Sequence, residues 1–259
     1  SNVGEPLYER KGHQIVLTPA GEGLLQHAEK MESDFNQAIE YVRCLQKINA
    51  GTLRLGSTTT IGSYYLPRYV VELQTLHAGV QVFMKTGDTR EILQSLTELD
   101  LGFIEGPVEE ESLPINYQVI PWQDDEIVLV VPEDHELAKE YSQSVPLDVF
   151  TRHQVIWREP GSGARDVVEK ALLESDIEAP VNIEVNGVSG IKEAVRAGMG
   201  IGFASFQALR HESSGLVSRR IKPPDGLIWH LNIIAPRNEI QSRTAKAFLD
   251  LCLNRETEN

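Results

Sequence analysis

The sequence predicts an α/β protein of two α/β units with mainly parallel sheets, preceded by one long helix, and three observations predict it. After Gly51, short β-rich runs alternate with stretches of helical period, the pattern of strands connected by crossover helices. Before Gly51, apolar residues recur in steps of four and three, the period of a pairing helix. The 259 residues, 41% hydrophobic and 24% charged, leave room for two cores of ordinary globular composition.

Taken in order, Leu7 and Tyr8 lead across the turn "RKGH" to a short strand at Ile15, Val16 and Leu17, a hairpin. Thr18 then suits a helix N-cap: its hydroxyl can accept from an orphan backbone N–H, Pro19 falls at the first helical position, and Glu22 favours the positive helix end. From there Leu24, Ala28, Met31, Phe35, Ala38, Val42 and Leu45 form an a/d seam of about three heptads. So narrow a stripe suits pairing with another helix; the alternative is an amphipathic helix packed on its own domain. The helix is expected to end at "NAGT", a linker.

In the body, "TLRLGST" is a strand, "GSYYLPRYVVELQTLH" a helix with Pro67 early in it, "VQVFMKTG" a strand, "TREILQSLTELD" a helix and "LGFIEG" a strand. A strand from Asp125 to Val131 leads into the second set: strand "HQVIWRE", helix "GARDVVEKALLES", strand "NIEVN", helix "SGIKEAVRAGM", strand "GIGFAS" and helix "FQALRHE". Strand "LIWHLNIIAP" and helix "SRTAKAFLDLCLN" close the chain.

A formal net charge of −14 argues against nucleic-acid binding by this chain alone, because a DNA-binding surface displaces counterions with Lys and Arg. It says nothing against a small anion. Cys44 and Cys252 lie far apart without metal-ligand spacing and read as plain thiols in a reducing compartment. No run approaches the roughly 18 apolar residues of a membrane span. The opening residues carry no signal-peptide pattern and no Met, so residues 1–3 read as an expression remnant and the chain as a fragment of a cytoplasmic protein.

Ligands of open α/β sheets bind beyond the carboxyl ends of strands. Three loops there carry small polar residues. Ser57, Thr58, Thr59 and Thr60 bridge a strand and a helix start, a setting for a carboxylate, sulfate or phosphate. In "REPGSGARD", Gly161 and Gly163 let the backbone approach a ligand, Ser162 offers a hydroxyl, and Arg165 is an anion clamp or a structural ion-pair partner. The third loop offers Asn186 and Ser189. No catalytic set accompanies them: GxSxG, Walker, HExxH and GxGxxG patterns are lacking. His135 and His153 read as solvated or capping, Asp124 and Asp125 as a pair at a domain crossover, and "EEES" at 109–112 as a solvated loop.

With these residues in view, the chain resembles a LysR-type transcriptional regulator over residues 4–255. "LYERKGHQIVLTPAGEGLL" looks like the wing that closes that family's winged helix-turn-helix and the start of its linker helix, with "TPAG" matching the usual Thr-x-Ala-Gly. "LRLGSTTTIGSYYLPRYV", "LDLGFIEGPV", "REPGSGARD" and "GIKEAVRAGMGIGFAS" resemble its effector-binding domain in the right order. The resemblance implies a type II periplasmic-binding-protein-like fold, two subdomains joined by two crossover strands with the effector between them. Residues 1–18 would be the winged-helix remnant, 19–50 the linker and dimerisation helix, 52–124 plus 226–259 subdomain I, and 125–225 subdomain II.

By the same resemblance Ser57, Thr58 and Thr60 contact the effector, with Gly161, Ser162, Gly163, Arg165 and Asn186 across the cleft. The chain is similar to the branch of carbon-fixation and sulfur-metabolism regulators, whose effectors are often small anions; it departs at Ala164, where Thr is usual, and at Phe103-Ile104. The resemblance further implies a non-enzyme without cofactor or metal, a homodimer or homotetramer, that meets promoter DNA only through DNA-reading helices outside this chain and no membrane. The alternative is an extracytoplasmic solute-binding protein for a small anion; an amino-acid-pathway dehydratase on a like scaffold lacks its catalytic set.

Overall fold

The structure, a computed structural model, describes residues 5–11, 14–44, 51–108, 113–210, 213–221, 225–238, 240 and 242–254. Strands β1 (Tyr8–Lys11) and β2 (Gln14–Leu17) pair antiparallel as the expected hairpin, and helix α1 runs Pro19–Cys44. Thr18 caps it: Oγ1 accepts from the Gly21 backbone N–H at 3.0 Å and donates to the Pro6 carbonyl at 2.7 Å. Leu24, Ala28, Met31, Phe35 and Ala38 of the seam are exposed. The Val42 side chain, Leu45, the first half of the "NAGT" linker and the "EEES" run lie outside the described residues. Ser33 Oγ, elsewhere on α1, donates to the Thr97 carbonyl at 2.5 Å and fixes the helix to the body.

The first lobe holds β3 (Thr52–Thr58), α2 (Thr59–Tyr64), α3 (Leu66–Leu76), β4 (Gln81–Gly87), α4 (Thr89–Gln94) and β5 (Leu101–Glu105), with β3 parallel to β4 and β5. The single helix expected over residues 62–77 is two. Pro67 has no N–H for an intrahelical bond, so the chain breaks at Tyr65 and restarts with Pro67 in the first turn, where none is needed. Likewise α4 stops at Gln94 and a 3-10 turn, Leu96–Glu98, completes the run.

Strand β6 (Tyr117–Pro132) carries the chain into the second lobe. There follow α5 (Glu136–Glu140), β7 (Ser144–Val145), α6 (Val149–Arg152), β8 (Ile156–Arg158), α7 (Gly163–Glu174), β9 (Ile183–Val185), α8 (Gly187–Arg196), β10 (Gly202–Ser205), α9 (Phe206–Leu209) and β11 (Leu216–Ile221). β12 (Leu227–Pro236) returns to the first lobe and α10 (Arg243–Asn254) packs there.

β6 and β12 are the two crossover strands. They pair antiparallel from Leu227↔Ile127 to Pro236↔Tyr117; β6 also pairs with β10 and β11 in one lobe, and β12 with β5 in the other. The result is one curled sheet, β4-β3-β5-β12-β6-β11-β7 with β10 also on β6, beside a small β8-β9 pair. It is mixed where mainly parallel sheets were expected, because a chain that crosses once each way lays its two crossing strands antiparallel to each other.

Each lobe is centred on a tryptophan. Trp122 lies 5.1 Å from Phe103 and 5.5 Å from Tyr69, ring centre to ring centre, and donates to the Cys252 carbonyl at 3.1 Å. Trp157 lies 5.5 Å from Phe203 and donates to the Pro180 carbonyl at 3.2 Å. The Cys252 thiol is buried, and burial pushes its pKa up, which makes it unreactive. No helix among the described residues is long and apolar enough to cross a membrane.

Candidate functional site

The crossover strands bring the carboxyl ends of β3, β5 and β8 to one place, at Thr58, Glu105 and Arg158. A cleft of about 1920 Å³ opens beside them, lined by Asp88 and Arg90 at the start of α4, Glu105, Gly161, Gly163 and Asp166 at the start of α7, and Trp229 and His230 on β12. Asp88 is held there by a capping box: its carboxylate accepts from the Glu91 N–H at 2.8 Å while its own N–H donates to Glu91 at 3.0 Å.

Of the expected site residues, Gly161 and Gly163 line this cleft. Gly161 has φ +84, a conformation that favours glycine. At Gly163 a Cβ would stand 3.3 Å from Glu105 Cβ and 3.3 Å from the Trp229 ring, so the missing side chain is what lets α7 close against the other lobe. Gly163→Val is therefore expected to cost ~1–3 kcal/mol by overpacking, read from urea unfolding.

Ser57, Thr58, Thr60 and Ser162 are buried and do not line the cleft; Thr58 reaches its edge through Glu105. The hydroxyls of Ser57 and Thr58 make no well-formed hydrogen bond, and neither does the buried indole N–H of Trp229. Arg165 points elsewhere. Its guanidinium donates to Glu169 at 2.6 Å, to Glu184 at 2.9 Å and to the Arg158 carbonyl at 2.8 Å, over the Trp157 ring; its place is that of the ion-pair partner. Asn186 is exposed, caps α8 without a side-chain bond and lies off the cleft lining. The charged end expected of a long helix after Thr58 belongs only to the six-residue α2.

Glu105, Arg158 and Trp229 were not singled out in the sequence. Glu105 is 6% exposed, and burial pushes its carboxyl up to about 7; the nearby Thr58 hydroxyl and the Arg158 charge offset only part of this. Arg158 is itself buried and grips Glu159 with two bonds of 2.8 and 2.7 Å. Burial would raise Glu159, but the Arg158 fork and the Gly187 N–H at 3.0 Å outweigh it and hold the carboxyl at about 2. Away from the open side Ser205 Oγ donates to Asp125, both in the second lobe, and Tyr65 of the first lobe sits beside them; burial and Asp125 push its phenol well above its usual range. Asp124 pairs with His230 at 2.6 Å across the crossover strands, and His135 caps α5 by accepting from Leu137 N–H at 3.2 Å.

Two α/β lobes on antiparallel crossover strands, with a cleft at the strand ends, define a ligand-sensing domain of the periplasmic-binding-protein class. Residues 46–256 match the LysR substrate binding domain, and the chain belongs to that family. It is 30% identical over 251 residues to the HTH-type transcriptional activator CmpR of Synechocystis sp., covering 96% of this chain and 80% of CmpR. The CcmR regulatory domain of Synechocystis in complex with 2-PG is similar in structure at 26% identity and a TM-score of 0.70, covering 80% of this chain and 98% of that one. A full-length OxyR variant of Pseudomonas aeruginosa shares the fold over 97% of this chain and 81% of its own, with a TM-score of 0.76 at 20% identity. The chain is thus the effector-sensing part of a LysR-type transcriptional regulator, not a periplasmic solute-binding protein.

Proposed function

We propose that the effector is a small anion and that it is held at the closed, inner part of the cleft, between Thr58 and the first turn of α7. The observation that carries this reading is a pair of buried donors without acceptors, the Ser57 hydroxyl and the indole N–H of Trp229, with the Thr58 hydroxyl facing Glu105 next to them. Leaving such groups unpaired is costly, and an anion that accepts from them removes the penalty. Gly163, at the start of the twelve-residue α7, packs on Glu105 beside these donors, and helix starts favour negative charge. The complex of CcmR with 2-PG supports the reading.

We take residues 52–124 with 226–259 and residues 125–225 as the subdomains that the effector draws together or twists. The exposed α1 seam would pair with a second copy in a homodimer or homotetramer and carry the change to DNA-reading helices. Thermal-shift measurement with sulfate, phosphate and 2-PG tests this. Stabilisation by at least one is expected, and Thr58→Ala and Thr60→Ala should abolish it with the unliganded fold retained; a full shift in both variants removes the inner loop from the site.

A further inference from the structure

A site for an anion contains a carboxyl group of its own. Glu105 ends β5 on the inner side of the cleft, 6% exposed, with the Thr58 hydroxyl of β3 and the charge of Arg158 of β8 facing it. From α7 it meets Gly163, which also abuts the Trp229 ring of β12, whose N–H is unpaired. The other charged groups along the cleft are Asp88 and Arg90 at α4, Asp166 and Lys170 on α7, and the Asp124–His230 pair on the crossover strands. Among the described residues Arg158 is the cation set close to Glu105, and it is already committed to Glu159 through two bonds.

We propose that Glu105 receives the anion in its neutral, protonated form, so that binding takes up a proton from the buffer wherever the free carboxyl is ionised. The proton makes the carboxyl a donor, and its O–H joins the unpaired Trp229 N–H as a donor for the ligand; no bond of the effector is made or broken. An ionised Glu105 would instead set two negative charges side by side in a buried space, with the nearest cation already paired, and one of them would have to leave. A carboxyl that burial raises to about 7 gives up its ionised form at little cost near neutral pH. Glu105 thereby sets selectivity: it favours ligands that accept a hydrogen bond, and it makes affinity rise as pH falls.

This rests on the anion reading above, and the test separates the two. Calorimetric titration of the whole chain with sulfate, which keeps its charge across the window, is run at about pH 6 and about pH 8. The wild-type protein is expected to bind about tenfold tighter at the lower pH, the linkage of a single proton with a free pKa near 7. Glu105→Gln, neutral at both, is expected to bind alike at both and to unfold cooperatively. Binding with the same affinity at both pH values in the wild type, or a pH dependence kept in Glu105→Gln, overturns the role of Glu105 and leaves the anion site standing. Failure of sulfate and 2-PG alike to bind the wild type at either pH overturns the anion site and this proposal together.

Discussion

Glu105→Gln is expected to make the unliganded protein more stable than the wild type, and increasingly so as the pH rises from about 5 to about 8. The folded carboxyl titrates at about 7 and the unfolded one near 4.5, so between these values the folded state holds a proton that the unfolded chain has released. Stability contributed by that proton is complete below 4.5, falls through the window and is gone above 7. The displacement corresponds to about 3 kcal/mol, an upper value because the cleft can open and hydrate the charge. Urea unfolding of both proteins at several pH values isolates it, since every other titrating group is common to the two. A stability difference that does not change with pH would sink the account.

Trp122→Ala is expected to cost the first lobe ~3–5 kcal/mol, a large share of the stability of an ordinary domain. The indole is 2% exposed on a crossover strand, wedged among Tyr65, Tyr69 and Phe103, and its N–H holds the Cys252 carbonyl of α10. Removal leaves a cavity on the strand that joins the lobes and an orphaned carbonyl beneath α10. Trp122→Phe keeps most of the packing and is expected to lose only the hydrogen bond, about 1 kcal/mol. Denaturant midpoints of the three proteins rank them; equal losses in the two variants would mean that packing does not set the cost.

What the sequence made legible was local. Thr18, Pro19 and the strand-helix alternation each carry their reason within a few residues, and the Gly-Ser-Gly loop announced the two glycines that the cleft needs. The first half of β6 escaped because Pro121 and the charged Asp124–Glu126 run interrupt its pattern, and a partner about 100 residues away pairs it. β11 escaped because Ser218, Arg219 and Arg220 sit half-exposed near the sheet's edge and give no apolar run. Arg165 offered a visible signal for its structural role, Glu169 four residues on along the same helix face. Glu105 offered none: a carboxylate at the end of "LGFIE" is ordinary until Gly163, from a distant part of the chain, closes over it.

The bond from Ser33 to Thr97 bears on how news of the ligand leaves the cleft. Asp88 stands on the cleft wall, and Thr97, at the end of the same short run of chain, grips α1. Between them lie one capped helix and a 3-10 turn, itself held where the Tyr117 hydroxyl donates to the Leu96 carbonyl at 2.8 Å. Wall and grip are thus two ends of one stiff lever. A tilt of α4 would therefore be passed to α1 without rearranging either tryptophan-centred core.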